Sequence, residues 1–221
     1  MNILAFSDFH ANPRVAKRAS QIVSEKGPDV VMVAGDIGQG DREKAEAILQ
    51  MLSAYESRVF FVPGNIDDPE LADLSSTDRI FNLHGRSVDF EGVSFVGLGG
   101  APVGPFDTPF EYDEAQAGVL LREAVADSKF HRWVLLSHSP PRNCKLDLAW
   151  IGSHIGSTAV SEIIEEKNPI AVISGHVHEA AGIDDLHGVP LVNVGSALHG
   201  SFAAVTIDDR VEIELEQMQN M

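Results

Sequence analysis

The sequence lacks the features typical of secreted and membrane proteins, namely paired cysteines, a long apolar run and a recognisable signal peptide. Its 221 residues include one cysteine, Cys144, which excludes an intrachain disulfide framework. No apolar run reaches the roughly 18 residues that a helix needs to cross a bilayer. The first residues lead directly into an apolar run, with no charged segment or cleavage site, so we expect no signal peptide. We therefore expect a cytoplasmic protein with no membrane partner.

Basic residues are also scarce. Only 16 Lys and Arg stand against 33 Asp and Glu, which gives a formal net charge of −17. Phosphate backbones are bound by clustered Lys and Arg, so this charge argues against a broad nucleic-acid-binding surface. It does not exclude a nucleotide bound through metal ions. The acidic surface fits either ordinary solvation or adaptation to high salt, where charge repulsion is screened.

The first part of the chain alternates apolar strands with amphipathic helices. A helix begins at Asn12-Pro13 and is stopped by Gly27-Pro28. The predicted strands cover residues 3–6, 29–34 and 58–62, and a second helix covers 41–55. Strand–helix–strand order of this kind predicts parallel β-α-β units with right-handed crossovers.

The pattern changes after residue 80. We predict a hairpin of 86–90 and 93–97 around Glu91-Gly92, then a proline-rich loop with no regular element. The remaining predictions are helices at 113–126 and 158–167, strands at 132–136 and 170–173, a loop over the site at 142–157, and antiparallel tail strands at 190–194, 201–207 and 211–216. No repeat or linker is visible, so one domain spanning 1–221 is expected, with a hydrophobic content of 44% that is typical of globular proteins.

Two histidines follow the strand at 170–173. If the chain stays extended there, His176 and His178 point the same way, as residues i and i+2 of a strand do. Two neutral imidazoles aimed at one point suit a transition metal.

Four other predicted strands also end in side chains that can bind metals. Sites in open α/β sheets form beyond the carboxyl ends of the strands, so these side chains are expected to meet. The seven candidates are Asp8, His10, Asp36, Asn65, His138, His176 and His178. Such a mixed N/O set suits Zn, Mn, Fe or Co better than Ca or Mg. Seven ligands are too many for one tetrahedral ion, and they suit two ions that share a bridging carboxylate.

The order of these motifs resembles that of the calcineurin-like metallophosphoesterase family, and in particular its small prokaryotic phosphoesterases. The motifs are Asp8-Phe9-His10, Gly35-Asp36, Gly64-Asn65, His138 and Gly175-His176-Val177-His178. The resemblance covers nearly the whole chain. It implies an α/β (α+β) fold, a four-layer α/β/β/α sandwich of two mixed sheets, with a dinuclear metal centre at the strand ends.

The resemblance also implies roles for the seven residues. One ion (Mn, Fe, Zn, Ni or Co) would be held by Asp8, His10, Asp36 and His178, and the other by Asp36, Asn65, His138 and His176. Asp36 would bridge the two ions together with a hydroxide. Two cations make hydroxide available near neutral pH and bind the phosphoryl oxygens during in-line attack, so no covalent enzyme intermediate is needed.

One position departs from the family. Many members have a histidine after Gly-Asn that stabilises charge or protonates the leaving group, whereas this chain has Ile66. Isoleucine cannot transfer a proton. Either another group does so, with His154 as the candidate, or the leaving group needs no protonation. The alternative interpretation of His154 is an exposed loop histidine.

The leading prediction is therefore a metal-dependent phosphoesterase that acts on a small phosphate ester or nucleotide. The absence of a histidine at position 66 favours diesters or activated esters over ordinary monoesters. The alternative is a non-catalytic, metal-binding interaction scaffold like the retromer subunit that resembles this fold. A scaffold can lose ligands freely, so the full ligand set favours catalysis. The physiological substrate, the native metal and self-association as a homo-oligomer stay open.

Three further expectations concern residues outside the ligand set. Arg142, beside Pro140-Pro141, is a candidate for steering an anion towards the site. Cys144 has no neighbours in sequence that would make it a nucleophile. The remaining histidines are predicted to be surface or structural residues: His84, His131, His187 and His199.

Overall fold

The computed structural model describes residues 1–218, which contain four α-helices and fourteen strands. In chain order the strands are β1 (Asn2–Phe6), β2 (Val30–Ala34), β3 (Arg58–Val62), β4 (Ile80–Asn82), β5 (Ser87–Phe90), β6 (Val93–Leu98), β7 (Ala101–Pro102), β8 (Glu111–Tyr112), β9 (Trp133–Ser137), β10 (Ala171–Ser174), β11 (Gly182–Leu186), β12 (Val189–Asn193), β13 (Ser201–Ile207) and β14 (Val211–Gln217). The helices are α1 (Pro13–Lys26), α2 (Arg42–Leu52), α3 (Glu114–Ala126) and α4 (Thr158–Lys167).

Two mixed six-stranded sheets form the centre of the molecule. The first has the order β14-β13-β1-β2-β3-β4, and the second has the order β11-β12-β10-β9-β6-β5. β1 to β4 run parallel, as do β6, β9, β10 and β12. The carboxyl ends of five of them, β1, β2, β3, β9 and β10, carry the candidate ligands.

The strands alternate their side chains between two cores. In β1, Ile3 and Ala5 point into the core between the sheets, whereas Leu4 and Phe6 point towards α1 and α2. On the far side, α3 and α4 cover the second sheet around a third core. The layers are therefore helices, sheet, sheet, helices, and the predicted four-layer sandwich is confirmed.

The capping and turn residues predicted from the sequence have the expected geometry. The Asn12 side chain accepts hydrogen bonds from the backbone N–H groups of Arg14 and Val15 at the start of α1. Gly27 ends that helix in the left-handed conformation, with φ of 55°. Glu91 and Gly92 both have positive φ in the predicted hairpin turn.

Several predictions needed correction. The proline-rich loop is not wholly irregular, because β7 and β8 pair as a short parallel ladder across it. β12 pairs antiparallel with β11 but parallel with β10, so an all-antiparallel tail is wrong. The second helix ends at Leu52 rather than at residue 55, and the short edge strands β4 and β11 were not predicted. Within residues 1–218, no helix has the length and hydropathy needed to cross a membrane.

Candidate metal centre and adjoining cavity

The candidate ligands leave their strands through strained backbone turns. Asp8, His10, Asp36 and His176 all have positive φ, at 58°, 48°, 52° and 68°. Positive φ is uncommon for residues other than glycine, and it persists where surrounding contacts enforce it. Here those contacts include a hydrogen bond from the Asp8 N–H to the carbonyl of Gly35 (3.0 Å), and one from the His10 N–H to the carbonyl of Asp36 (2.9 Å). The exits of β1 and β2 are thus locked to each other.

Two glycines allow the strand ends to approach closely. A Cβ at Gly175 would lie 1.9 Å from Oγ of Ser7 and 2.8 Å from Oδ2 of Asp8. A Cβ at Gly64 would lie 2.0 Å from Oδ1 of Asp36. Both glycines are therefore required by the packing of the candidate ligands, whatever their backbone angles.

The first group of candidate ligands lies around Asp8. Its Oδ1 is 2.9 Å from Nε2 of His178 and 3.9 Å from Nε2 of His10. The two imidazole rings meet edge to face with centroids 5.4 Å apart. Asp8 is fully buried, whereas both histidines are partly exposed.

The second group lies around His138. Its Nδ1 is 2.7 Å from the carbonyl of Ala34, which can only accept, so Nδ1 carries the proton and Nε2 of the neutral ring carries a lone pair. That Nε2 lies 2.9 Å from Oδ1 of Asn65 and 3.5 Å from Oδ1 of Asp36. One imidazole nitrogen and two side-chain oxygens therefore converge on one point. The His176 ring lies beside them, with its centroid 4.9 Å from that of His138.

Burial and mutual repulsion shift the protonation of these groups. Burial lowers the pKa of His10 and lowers that of His176 to about 3, so both imidazoles keep a free lone pair near neutral pH. Burial, against the opposing effect of the His138 imidazole and together with the nearby charges of Asp8 and Asp67, raises the pKa of Asp36 to about 7. Burial would also raise the pKa of Asp8, but the His178 imidazole and neighbouring groups hold it below its usual value.

The arrangement fits divalent cations. Oδ1 of Asp8 is buried and, among the described residues, has no well-aligned hydrogen-bond donor, although two imidazole nitrogens face it. Two sets of donor atoms each lie within 4.8 Å of one another: Asp8, His10 and His178, and Asp8, Asp36 and His138. Asp8 belongs to both sets, and Asp36 lies in the second. The bridging role of Asp36 stays a prediction.

Sequence reasoning missed the role of Asp67. Its buried carboxylate accepts backbone hydrogen bonds from Gly38 (2.7 Å), Gly64 (2.8 Å), Ile37 (3.0 Å) and Gln39 (3.3 Å). It thereby ties the loop after β2 to the loop after β3. The only signal in sequence was its place two residues after Asn65.

His154 lies apart from the seven ligands, on the wall of an adjoining cavity of about 240 Å³ that Asn65 and His176 also line. Its Nδ1 is 2.6 Å from Oδ1 of the buried Asp147. Arg142 lines the same cavity. The loop of residues 142–157 therefore borders the site, as predicted.

His84, His131, His187 and Cys144 have surroundings that match the predictions, whereas the exposed His199 lies beside the candidate ligand His178, with ring centroids 6.1 Å apart. Nδ1 of His84 accepts a hydrogen bond from the Gly99 N–H, and burial lowers its pKa to about 4. His131 and His187 are exposed. Burial raises the pKa of Cys144 to about 11, which leaves little thiolate for nucleophilic attack.

Comparison with known proteins identifies the family. Residues 1–180 match the family model for calcineurin-like phosphoesterases. The chain belongs to this calcineurin-like phosphoesterase family. Family membership makes it a hydrolase that acts on ester bonds, and the chemistry of the donor groups fits the metal dependence of metallophosphoesterases.

The chain is also similar to individual proteins. The phosphoesterase is 32% identical over 200 residues to the uncharacterized protein MJ1162 of Methanocaldococcus jannaschii, and the match covers 87% of each chain. Its fold is similar to that of TT1561 from Thermus thermophilus, with a TM-score of 0.77, 18% identity and 99% of each chain covered. It is also similar to a novel archaeal phosphodiesterase, with a TM-score of 0.58 and 15% identity over 98% of this chain and 99% of that one. These two structural likenesses concern the fold.

Proposed function

We propose that this phosphoesterase hydrolyses small phosphate monoesters or diesters at a centre of two divalent metal ions. The observation that supports this most directly is the convergence of Nε2 of His138 with the side-chain oxygens of Asn65 and Asp36, while Nδ1 of the same ring is turned to a backbone carbonyl. A nitrogen and two oxygens that meet at one point form a donor set that suits a divalent transition-metal cation. The first group of candidate ligands, around Asp8, lies close enough to share a carboxylate with this second group around His138.

The residues divide into two sets. Asp8, His10 and His178 would hold one ion, and Asn65, His138 and His176 would hold the other, with Asp36 between them. When bound, two such ions supply a hydroxide at neutral pH and stabilise charge on the phosphoryl oxygens. The protein contributes the rigid strand exits and the Asp67 contacts that keep the donor atoms in place.

We assign the transfer of a proton to the leaving group to His154. The Asp147 carboxylate accepts a hydrogen bond from Nδ1, which leaves Nε2 as the ring nitrogen that would donate, and His154 lines the cavity. The proton on Nε2 would pass to the ester oxygen as the P–O bond breaks, and water would return it in the next cycle. His154 would thereby provide the proton donor that Ile66 cannot be.

Reconstitution with metals tests the proposal. Metal-free protein is titrated calorimetrically with Mn, Fe(II), Co, Ni and Zn, and each form is assayed with p-nitrophenyl phosphate and bis-p-nitrophenyl phosphate. We expect about two ions per chain, and losses of at least about 100-fold in kcat for Asp36→Asn and His138→Ala. Asp29→Asn, at the opposite ends of the strands, serves as the control.

Each failure has its own meaning. One ion per chain would contradict the dinuclear centre, and tight metal binding without turnover by any ion would favour the scaffold. A cytoplasmic location and a single domain over 1–221 stay predictions, and the native metal and self-association stay open.

A further inference from the structure

The cavity beside the candidate metal centre has an apolar outer wall. The segment between β7 and β8 forms it, and Val103 and Phe106 from that segment are 71% and 85% exposed. Ile155 lines the cavity on the side of the other loop. Exposed apolar side chains around a cavity commonly mark a binding surface. This wall begins where the cavity meets Asn65 and His176, so it lies next to the candidate phosphate site.

Hydrogen bonds within the segment between β7 and β8 fix the conformation of this wall. Glu111 accepts hydrogen bonds from the N–H of Thr108 (2.9 Å), from the Thr108 hydroxyl (2.7 Å) and from the N–H of Gly104 (3.2 Å). These contacts close the segment on itself around Phe106. The N–H of Phe110 donates to the carbonyl of Asn65 at 2.9 Å. The wall is therefore attached by a backbone hydrogen bond to a candidate ligand.

The size and charge of the cavity limit what can enter. Its volume of about 240 Å³ lies below the roughly 300–1,000 Å³ of pockets for drug-sized ligands, so it accommodates a substituent of one or two rings. A nucleic-acid strand would need a cationic groove, whereas Arg142 is the one Lys or Arg among the described residues that line this cavity. The net charge of −17 opposes such a strand as well.

We propose that this cavity binds the organic group of the substrate, and that this group carries a planar ring that stacks on Phe106. The inference rests on the proposed phosphoester hydrolysis. An exposed phenylalanine face gains most from a flat aromatic partner, because stacked or edge-to-face rings add attraction beyond the area they bury. Arg142 lies on the same cavity and is positioned to pair with an anionic oxygen of the phosphoryl group. The substrate class is thus ring-bearing phosphoesters, which the cavity favours over small aliphatic esters.

Two ester pairs test the assignment without the bias of a better leaving group. The metal-reconstituted enzyme is assayed with 2-phenylethyl phosphate and n-propyl phosphate, and with the methyl diesters of both alcohols, since these alcohols ionise similarly. We expect kcat/KM to favour the phenyl-bearing ester, and Phe106→Ala to reduce that preference by about three- to tenfold. Phe106→Tyr should keep the preference. Phe130→Ala, at the amino-terminal end of β9, removes another exposed phenylalanine and should change nothing.

Binding gives a readout that does not need turnover. Calorimetry with 3-phenylpropylphosphonate and n-butylphosphonate should show the same preference, and Phe106→Ala should lose it while the circular dichroism and unfolding midpoint stay those of the wild type. If wild type and Phe106→Ala each bind the two phosphonates with equal affinity while hydrolysis is intact, the ring subsite is wrong and the proposed phosphoester hydrolysis still stands. If the wild type hydrolyses none of the esters with any metal, the proposed function fails instead, and the phosphonates still report on the cavity. In that case, equal affinities of the wild type for the two phosphonates would count against the ring subsite as well.

Discussion

Nδ1 of His154 lies 2.6 Å from Oδ1 of Asp147, at the centre of the loop that borders the cavity. The same carboxylate accepts backbone hydrogen bonds from Asn143 (3.1 Å), Cys144 (3.1 Å) and Gly156 (3.0 Å). The loop is therefore folded around one buried carboxylate, and His154 takes its orientation from that carboxylate. His154 has fixed geometry although it belongs to an irregular segment.

The first prediction concerns this pair. If His154 protonates the leaving group, His154→Ala should slow an alkyl phosphate by about 100-fold or more, since its alkoxide must be protonated. It should slow the p-nitrophenyl ester little, since p-nitrophenolate leaves unassisted. Asp147→Asn should act in the same direction because it misorients the imidazole, and it should also loosen the loop, since its amide NH₂ would face a donor. The measurement is kcat for a series of esters of graded leaving-group acidity.

The control separates proton transfer from a general loss of structure. His131→Ala removes an exposed histidine outside the cavity and should leave the series unchanged. A uniform loss for every ester in His154→Ala would show that His154 only supports the loop.

The second prediction concerns Gly175. A methyl group there would collide with Ser7 and Asp8, at 1.9 Å and 2.8 Å. Gly175→Ala should therefore displace Asp8, weaken Mn²⁺ binding by at least about tenfold and destabilise the fold by about 1–3 kcal/mol. Calorimetric titration and urea unfolding measure the two effects. Gly182→Ala is the matched control, because its nearest neighbour would lie at an ordinary 3.4 Å. Unchanged metal affinity in Gly175→Ala would contradict the placement of Asp8 at the ion.

The third prediction concerns Asp67. Each of its oxygens accepts two backbone hydrogen bonds, so in Asp67→Asn the amide NH₂ must face N–H donors. We expect a loss of about 3 kcal/mol in the free energy of unfolding and weaker metal binding, as the loops after β2 and β3 separate. Urea unfolding checks the first effect. Asp68→Asn should cost little, because asparagine caps the short helix at Pro69–Asp73 as well as aspartate does. Equal free energies of unfolding for Asp67→Asn and Asp68→Asn would contradict the proposal that Asp67 holds the two loops together.

The features of the fold that depend on residues close together in the chain could be predicted from the sequence. Asn12 and Asp113 cap helices through bonds that span two or three residues, so their positions could be predicted. The seven candidate ligands stood out because each follows an apolar strand directly. Parallel strands then bring those ends to one place, and the structure does place the seven side chains together.

What could not be predicted depends on contacts between distant segments or on weak local patterns. Asp67 organises residues about 30 positions earlier, and nothing local announces it. The cavity exists only because the segment around Phe106 meets the loop around His154. Edge strand β11 contains two acidic residues and little apolar character, since one of its faces is solvated. The β7–β8 ladder was hidden by prolines, which a two-residue edge pairing tolerates.

The fourth prediction follows from His84. Its pKa is lowered to about 4 by burial, and then by the Arg86 guanidinium, whereas the ordinary value is 6.5. Between pH 6.5 and about 4 the unfolded chain therefore binds a proton that the folded chain excludes, so the free energy of unfolding falls as the pH falls through this window. The full loss, below the folded pKa, is on the order of 3 kcal/mol.

His84→Asn removes this titration while its Oδ1 can still accept the hydrogen bond that Nδ1 accepts from the Gly99 N–H at 2.9 Å. Urea unfolding of both proteins at pH 7, 6, 5 and 4 should therefore give a shallower pH dependence for the variant, with the difference growing towards pH 4. Comparing the two slopes cancels the titration of the acidic groups that both proteins share. His131→Asn, at an exposed position, should keep the wild-type slope. Parallel curves for wild type and His84→Asn would mean that this ring is protonated in the folded state as readily as in the unfolded chain.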